Sequence, residues 1–466
     1  MLRPAAPRWT WTVASLLALA AARPRAAAQD STAQRTLAER LEQLEQQVKV
    51  LARLRELERD SSVEVSRTRA TVNASPEGFF FRSADGNWRV RVGGYLQADG
   101  RYYLADQAAA GTTGLLIRRA RPLVEGIVYQ YFDFRIMPDF GTGQPTIYEA
   151  YLEARIRPAF ALRAGKFKPP VGLERLQSAT DLRFVERGFP TNLVPNRDVG
   201  IQVSGDLAGG TLGYATGIFN GVADLGFGDL DANDAKELAG RLFLLPFATQ
   251  GRRAPVDLGF GISGSIGNER GTVASPLTST LRTPGQIVVF RYRSSPQATG
   301  TAVEDGQRAR IEPQGYLYRG SFGLLAQYTV SRHTVRRDTA AGRSIIDRFS
   351  HRAWQVAGSV FLTGEKASFR SLTPKHPFDP KSGTWGALEV TARIQGTSVP
   401  DEVFPVFADP ATSVQSIRAW ALGLNWHLAK NVKLMMDYER AVFHGGAVAG
   451  NRRAENLLIT RFQTAF

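Results

Sequence analysis

Basic side chains gather in one stretch of the chain that has no regular period. Between Gly165 and Asp198 the sequence carries Lys166, Lys168, Arg175, Arg183, Arg187 and Arg197. Arginine suits phosphate and carboxylate because its planar fork donates two parallel hydrogen bonds and stays charged. Where arginine and lysine ring a water-filled passage, they select for anions. A second aperiodic stretch around 285–293 adds Arg291 and Arg293 on either side of Tyr292. The plainer alternative is a solvated surface loop. Asp99, Asp133, Asp139, Glu149, Glu153, Glu174 and Glu186 lie among the basic residues, so many charges are expected to neutralise one another.

Other chemistries find little support. The chain has no Cys, which excludes disulfides, thiolate metal sites and a cysteine nucleophile. His333, His351, His376, His427 and His444 are scattered, and no Gly-x-Ser-x-Gly elbow accompanies them. Gly165-Lys166 lacks the preceding glycine that a phosphate loop needs. The reading is therefore a protein that is not an enzyme and needs no metal or cofactor.

The elements that must position these residues follow from periodicity. Over residues 1–28, Arg3 and Arg8 precede an apolar run from Trp9 to Ala22, and Ala26-Ala27-Ala28 offers a cleavage site. That run is shorter than the ~20 residues a spanning helix needs, so it reads as a removable export signal. Its loss lowers the formal charge from +15 to about +11. Over 29–60, Leu37, Leu41, Leu44, Val48 and Leu51 recur at spacings of four and three, predicting a short coiled-coil helix. The alternative there is a single amphipathic helix. Residues 61–78 read as a linker.

From Phe79 the period becomes two. Trp88, Val90, Val92, Gly94, Leu96 and Ala98 alternate with polar neighbours, and similar runs recur to the end of the chain. Trp420, Leu422, Leu424, Trp426 and Leu428 face away from Asn425 and His427. Runs of about ten residues, apolar on one side, are what an outer-membrane β-barrel requires. Aromatic residues cluster at segment ends, as interfacial girdles do. Seventeen runs can be counted, but bacterial single-chain barrels have even strand numbers. The weakest, 285–293, is assigned to an inward-folded loop, leaving an all-β antiparallel barrel of about sixteen strands over 79–466. Short periplasmic turns and long outer loops should join the strands. A barrel of that size encloses an aqueous channel. An exported barrel also leaves no role for nucleic acid despite the basic charge.

Several stretches resemble the phosphate-selective porin O and P family. They include Gly93-Gly94-Tyr95-Leu96-Gln97-Ala98-Asp99, Ile117-Arg118-Arg119-Ala120, Gly172-Leu173-Glu174-Arg175 and Glu186-Arg187. Pro313-Gln314-Gly315-Tyr316, Leu362-Thr363-Gly364-Glu365, Trp385-Gly386-Ala387-Leu388-Glu389 and Leu422-Gly423-Leu424-Asn425-Trp426 continue the match in order. The resemblance implies a homotrimeric porin in outer-membrane lipid, with inward-folded loops and an arginine ladder that passes phosphate or other small anions. It assigns pore roles to Arg118, Arg119 and Arg187, a vestibule role to Arg175, and a narrowing basic loop to Arg291 and Arg293. Lys168 joins them as a loop cation. Three family positions depart: Tyr95 replaces an arginine, Tyr148 an aspartate and Thr180 a lysine. A porin for oligosaccharides or general diffusion is the alternative, and Tyr95, Tyr148, Tyr151 and Tyr292 would then line one wall.

Overall fold

The computed structural model describes residues 30–466 except 69, 105–110, 232, 296, 298 and 371. The export signal assigned to 1–28 lies outside the described residues. Two compact units divide at Thr68.

The first unit contains one helix, α1 (Asp30–Thr68). It runs through the first part of the expected linker. The heptad residues form an unpartnered stripe, with Leu37, Leu41, Leu44, Val48 and Leu51 each 58–67% exposed on the single chain.

The second unit is a closed barrel of sixteen antiparallel strands. In chain order these are β1 (Trp88–Tyr103), β2 (Gly114–Val128), β3 (Phe132–Asp139), β4 (Thr146–Arg157), β5 (Phe160–Phe167) and β6 (Asp198–Leu207). They continue as β7 (Leu212–Phe219), β8 (Glu237–Leu244), β9 (Asp257–Arg270), β10 (Ala302–Arg319) and β11 (Phe322–Asp338). The last five are β12 (Ser344–Phe361), β13 (Ala387–Ser398), β14 (Val414–His427), β15 (Val432–Ala447) and β16 (Glu455–Ala465). Each strand pairs with its sequence neighbours, and β16 pairs with β1 from Leu457↔Tyr103 to Ala465↔Tyr95. Closure is what removes sheet edges that lipid could not satisfy.

Alternation sets the faces. Along β14, Trp420, Leu422 and Leu424 are exposed on the outside, whereas Ala421, Asn425 and His427 are buried on the inside. The outer apolar face has no protein cover, so it is the surface that meets lipid.

A hairpin of Thr71–Ser75 and Gly78–Arg82 precedes β1; its first arm lies in the stretch expected to be linker, and its second begins at the expected start of the barrel. Its second arm pairs with residues 89–92 of β1, below the part of β1 that β16 occupies. The expected short periplasmic turns hold for 320–321 and 428–431, but not between β12 and β13. That connection spans 362–386 and packs inward, with Phe369 stacked on Tyr316 at 4.6 Å. The segment around 285–293 belongs to an inner hairpin, Thr280–Arg282 with Val288–Arg291, separate from the barrel ladder.

The long β5–β6 loop, 168–197, fills the lumen because the barrel wall binds its backbone. Leu173 N–H donates to Glu312 Oε1 (2.8 Å), Glu174 N–H to Gln327 Oε1 (3.1 Å) and Val185 N–H to Asp437 Oδ2 (2.6 Å). Phe189 N–H donates to Gln395 Oε1 (2.8 Å). Polar residues on the inner face thus satisfy a loop that would otherwise bury unpaired donors. Val171, Leu173, Val185, Phe189, Leu193 and Val194 are buried at its roots. Gly172, at φ +92°, makes the turn before Leu173, and a Cβ there would stand 2.9 Å from Arg175 Cβ.

Candidate functional site

Two β-bulges aim the first site residues. Between β1 and β2 the register passes from Gln97↔Arg119 to Ala98↔Ile117, so Arg118 has no partner. Strict alternation would send one of Arg118 and Arg119 to lipid, whereas the bulge lets both reach the lumen. Between β3 and β4 the register skips Tyr148, and Tyr148 and Glu149 are both buried inside.

Arg118 and Arg119 converge on the loop carboxylate Glu186. Arg118 Nε donates to Glu186 Oε1 at 2.6 Å, with Arg101 at 3.4 Å, Arg119 at 3.6 Å and Arg461 at 3.7 Å. Arg461 also makes a two-point pair with Asp99, each contact 2.7 Å. Burial opposes the ionised form of Glu186, but Arg118, Arg119 and Arg461 outweigh it and hold this carboxyl below the usual range. The pair resolves into a cluster with more positive than negative charge.

The loop cations differ. Lys168 Nζ donates to the carbonyls of Leu176 (3.1 Å) and Gln177 (3.0 Å). Arg187 reaches the carbonyls of Glu174 (3.0 Å) and Gln177 (2.8 Å). Arg175 donates to Thr191 O (2.7 Å) and Asn196 Oδ1 (3.1 Å). Among the described residues none of the three has a carboxylate within the 4.0 Å of an ion pair. Burial, then Arg197, Arg187 and Arg175, drives the Lys168 ammonium well below the lysine range. Burial also lowers Arg187 and, with Arg187 and Arg197 nearby, Arg175. Three neighbouring cations that repel one another form a place where an anion would be welcome.

These groups form a partition between two cavities. The outer one, about 670 Å³, is lined by Arg118, Arg119, Arg121, Tyr148, Arg175 and Arg187 among others. The inner one, about 420 Å³, takes Lys168, Thr180, Arg183, Arg197 and Lys433. Asn196 Oδ1 joins the two sides, accepting from Arg175, from Arg197 at 2.6 Å and from Tyr148 at 3.4 Å.

The departing residues have identifiable work. Tyr148 lies under two guanidinium groups, with Arg121 3.5 Å and Arg197 3.9 Å from its ring centroid. Arg121 also donates to Tyr95 Oη (2.6 Å) and to Asp139 Oδ2 (2.7 Å). Both tyrosines therefore position Arg121, which the sequence reading did not single out, although its spacing of two from Arg119 marks the same face. Thr180 faces the inner cavity, and Lys433 from β15 brings an ammonium 3.4 Å from its carbonyl.

Arg291 and Arg293 do not join this group. Arg291, the last residue of the inner hairpin, is exposed, while Arg293 donates to Pro405 O (3.1 Å) and approaches Asp409 at 3.7 Å. Tyr292, between them, points the other way and is buried between His333 and His351. The inner hairpin is held by Phe290 and Tyr292 in an apolar cluster with Phe189, Val403 and Phe407, which leaves the two arginines on its far side. The four tyrosines do not line one wall. Tyr151 packs edge-on against Phe167 and under Arg163, and Tyr292 is enclosed.

The family model for phosphate-selective porin O and P matches residues 90–466. Among solved structures, the outer membrane channel DcaP of Acinetobacter baumannii is 11% identical, with a TM-score of 0.52 over 83% of this chain and 99% of that one. OmpT of Vibrio cholerae is 12% identical, with a TM-score of 0.49 over 82% and 98%. At this identity the DcaP likeness concerns the fold alone. No curated protein sequence matches the chain.

Proposed function

Because the chain belongs to the phosphate-selective porin O and P family and so forms an outer-membrane porin, we propose that its channel prefers anions and passes phosphate or similar small oxyanions. The observation that carries this reading is the grouping of Lys168, Arg175 and Arg187, none in an ion pair among the described residues, at the partition between the two cavities. Arg118 and Arg119 add a surplus of positive charge on the outer side, and Lys433 adds a cation on the inner side. An entering anion exchanges its hydration for these donors in turn, while cations meet repulsion of the same origin. Arg291 and Arg293 serve at most to attract anions toward the mouth.

The oligosaccharide alternative needs a continuous aromatic track. Tyr148 has guanidinium groups over its ring and Tyr292 is enclosed, so these side chains offer sugars no shared wall. Export by the amino-terminal signal and assembly as a homotrimer, aided by the exposed leucine stripe of α1, complete the proposal. The test of the phosphate step is titration of phosphate against the chloride current in planar bilayers. Saturable block supports a binding path, whereas a current that phosphate leaves unchanged reduces the proposal to an electrostatic filter without a site.

A further inference from the structure

The outward face of β11–β15 carries a feature that ion permeation does not use. Most outward residues there are apolar, yet Arg332, Arg348, Arg352, Arg418 and Arg440 are all exposed on that face. The strand register places three of them on one diagonal row, which steps two residues toward the periplasmic end from Arg332 to Arg352 and two more to Arg418. Arg332 opposes Ser350, Arg352 opposes Val330 and Ser398, and Arg418 opposes Gly396 and Val442. Arg332 Nε donates to Ser350 Oγ at 3.1 Å, tying adjacent strands together within the row. None of the five makes an ion pair among the described residues. By contrast, Arg336, nearer the strand end, pairs with Asp305 at 2.7 Å and with Asp338.

On each of the three strands an aromatic residue follows two to four positions nearer the periplasmic end: Tyr328 after Arg332, Trp354 after Arg352 and Trp420 after Arg418. Tyr328 opposes Trp354, and Trp420 packs 5.4 Å from Tyr438. Trp354 lies across Gly396, where a Cβ would stand 2.8 Å from its indole Nε1. Tyr and Trp in this arrangement mark the level of lipid headgroups. The height agrees. Arg332 is ten residues along β11 from Phe322 at the periplasmic end. A rise of ~3.3 Å per residue and a tilt of ~40° put it ~25 Å above Phe322, the full height of a lipid-facing apolar band. Uncompensated arginines on the outside of a barrel are costly in hydrocarbon but favourable where anionic headgroups begin.

We propose that this row binds the phosphate groups of lipid headgroups in the outer leaflet. Each guanidinium can donate two parallel hydrogen bonds to a phosphate, and the aromatic ring below packs against the top of the acyl region. The row runs from β11 to β14, so one bridging headgroup layer would bind several arginines at once.

The experiment titrates full-length protein in mild detergent with lipid A carrying its phosphates and with the same lipid dephosphorylated, reading bound lipid by native mass spectrometry. The variant is Arg332→Gln/Arg352→Gln/Arg418→Gln, with KCl conductance and heat-dependent gel mobility confirming an intact barrel. The expected result is preference of the native protein for the phosphorylated lipid. The variant should lose roughly fivefold per arginine, about a hundredfold in all. Equal binding of the two lipids by the native protein would overturn the proposal, as would unchanged binding by a folded variant. Dissociation of the oligomer in the variant with lipid affinity unchanged would also overturn it and assign the face to contact between copies. If the triple variant does not fold, the three single substitutions carry the same comparison.

Discussion

Arg187→Gln removes one of the three unpaired loop cations while sparing much of the local structure. Its guanidinium donates to the Gln177 carbonyl at 2.8 Å, a contact that the glutamine amide can approach with its own N–H. At an effective dielectric of 20, a unit charge 4–8 Å from a passing anion is worth about 2–4 kcal/mol. Lys168 and Arg175 remain, and mobile ions screen part of the loss, so the net effect should be about 1–2 kcal/mol. That corresponds to a fall of roughly five- to thirtyfold in the anion-to-cation permeability ratio. The assay is the reversal potential of single channels in planar bilayers at low ionic strength. Arg293→Gln is the control, since Arg293 is engaged with Pro405 O and Asp409 away from the partition. A ratio in Arg187→Gln within twofold of the native protein would refute the reasoning, and so would an equal effect of Arg293→Gln.

Three further outcomes follow from the same structure. Burial and the Arg197, Arg187 and Arg175 guanidinium groups lower the Lys168 pKa, so its charge is present at low pH and lost as pH rises, before ordinary lysines titrate. Anion preference should therefore decline as pH rises, beginning below the range in which ordinary lysines titrate; the decline should be smaller in Lys168→Met, and a native profile flat with pH would contradict the assignment. The Asp99–Arg461 pair is wholly buried, so Arg461→Gln strands a carboxylate and should cost ~3–5 kcal/mol in denaturant unfolding, with Asp99→Asn restoring part of it; an unchanged midpoint in the single variant would count against the pair. Leu44→Lys places a charge in the exposed heptad stripe of α1 and should weaken the oligomer in detergent, measured by light scattering; an unaltered mass and melting profile would remove α1 from the assembly.

The barrel was legible because lipid on one side and water on the other impose a two-residue period on every strand. Trp420, Leu422 and Leu424 against Asn425 and His427 declare both faces without reference to any other strand. The bulges left no such mark. Arg118-Arg119 and Tyr148-Glu149 break the alternation, but only the partner strands decide which way each residue turns. The 71–82 hairpin was hidden for a similar reason: its arms are five residues each and depend on the free lower edge of β1. Length also misled in the 362–386 connection, which stays at its end of the barrel because Phe369 finds Tyr316. Within the site, the clustering of loop cations could be read from composition. Which of them remain unpaired could not, since Glu186 draws its arginines from β1, β2 and β16.

The zero-current potential of the native protein across a KCl gradient bears most directly on the proposed role of the partition cations. Lys168, Arg175 and Arg187, in no ion pair among the described residues, predict a potential whose sign reports chloride as the more permeant ion, with the preference shrinking as salt shortens the Debye length. A potential of the opposite sign, with potassium more permeant, would contradict that role.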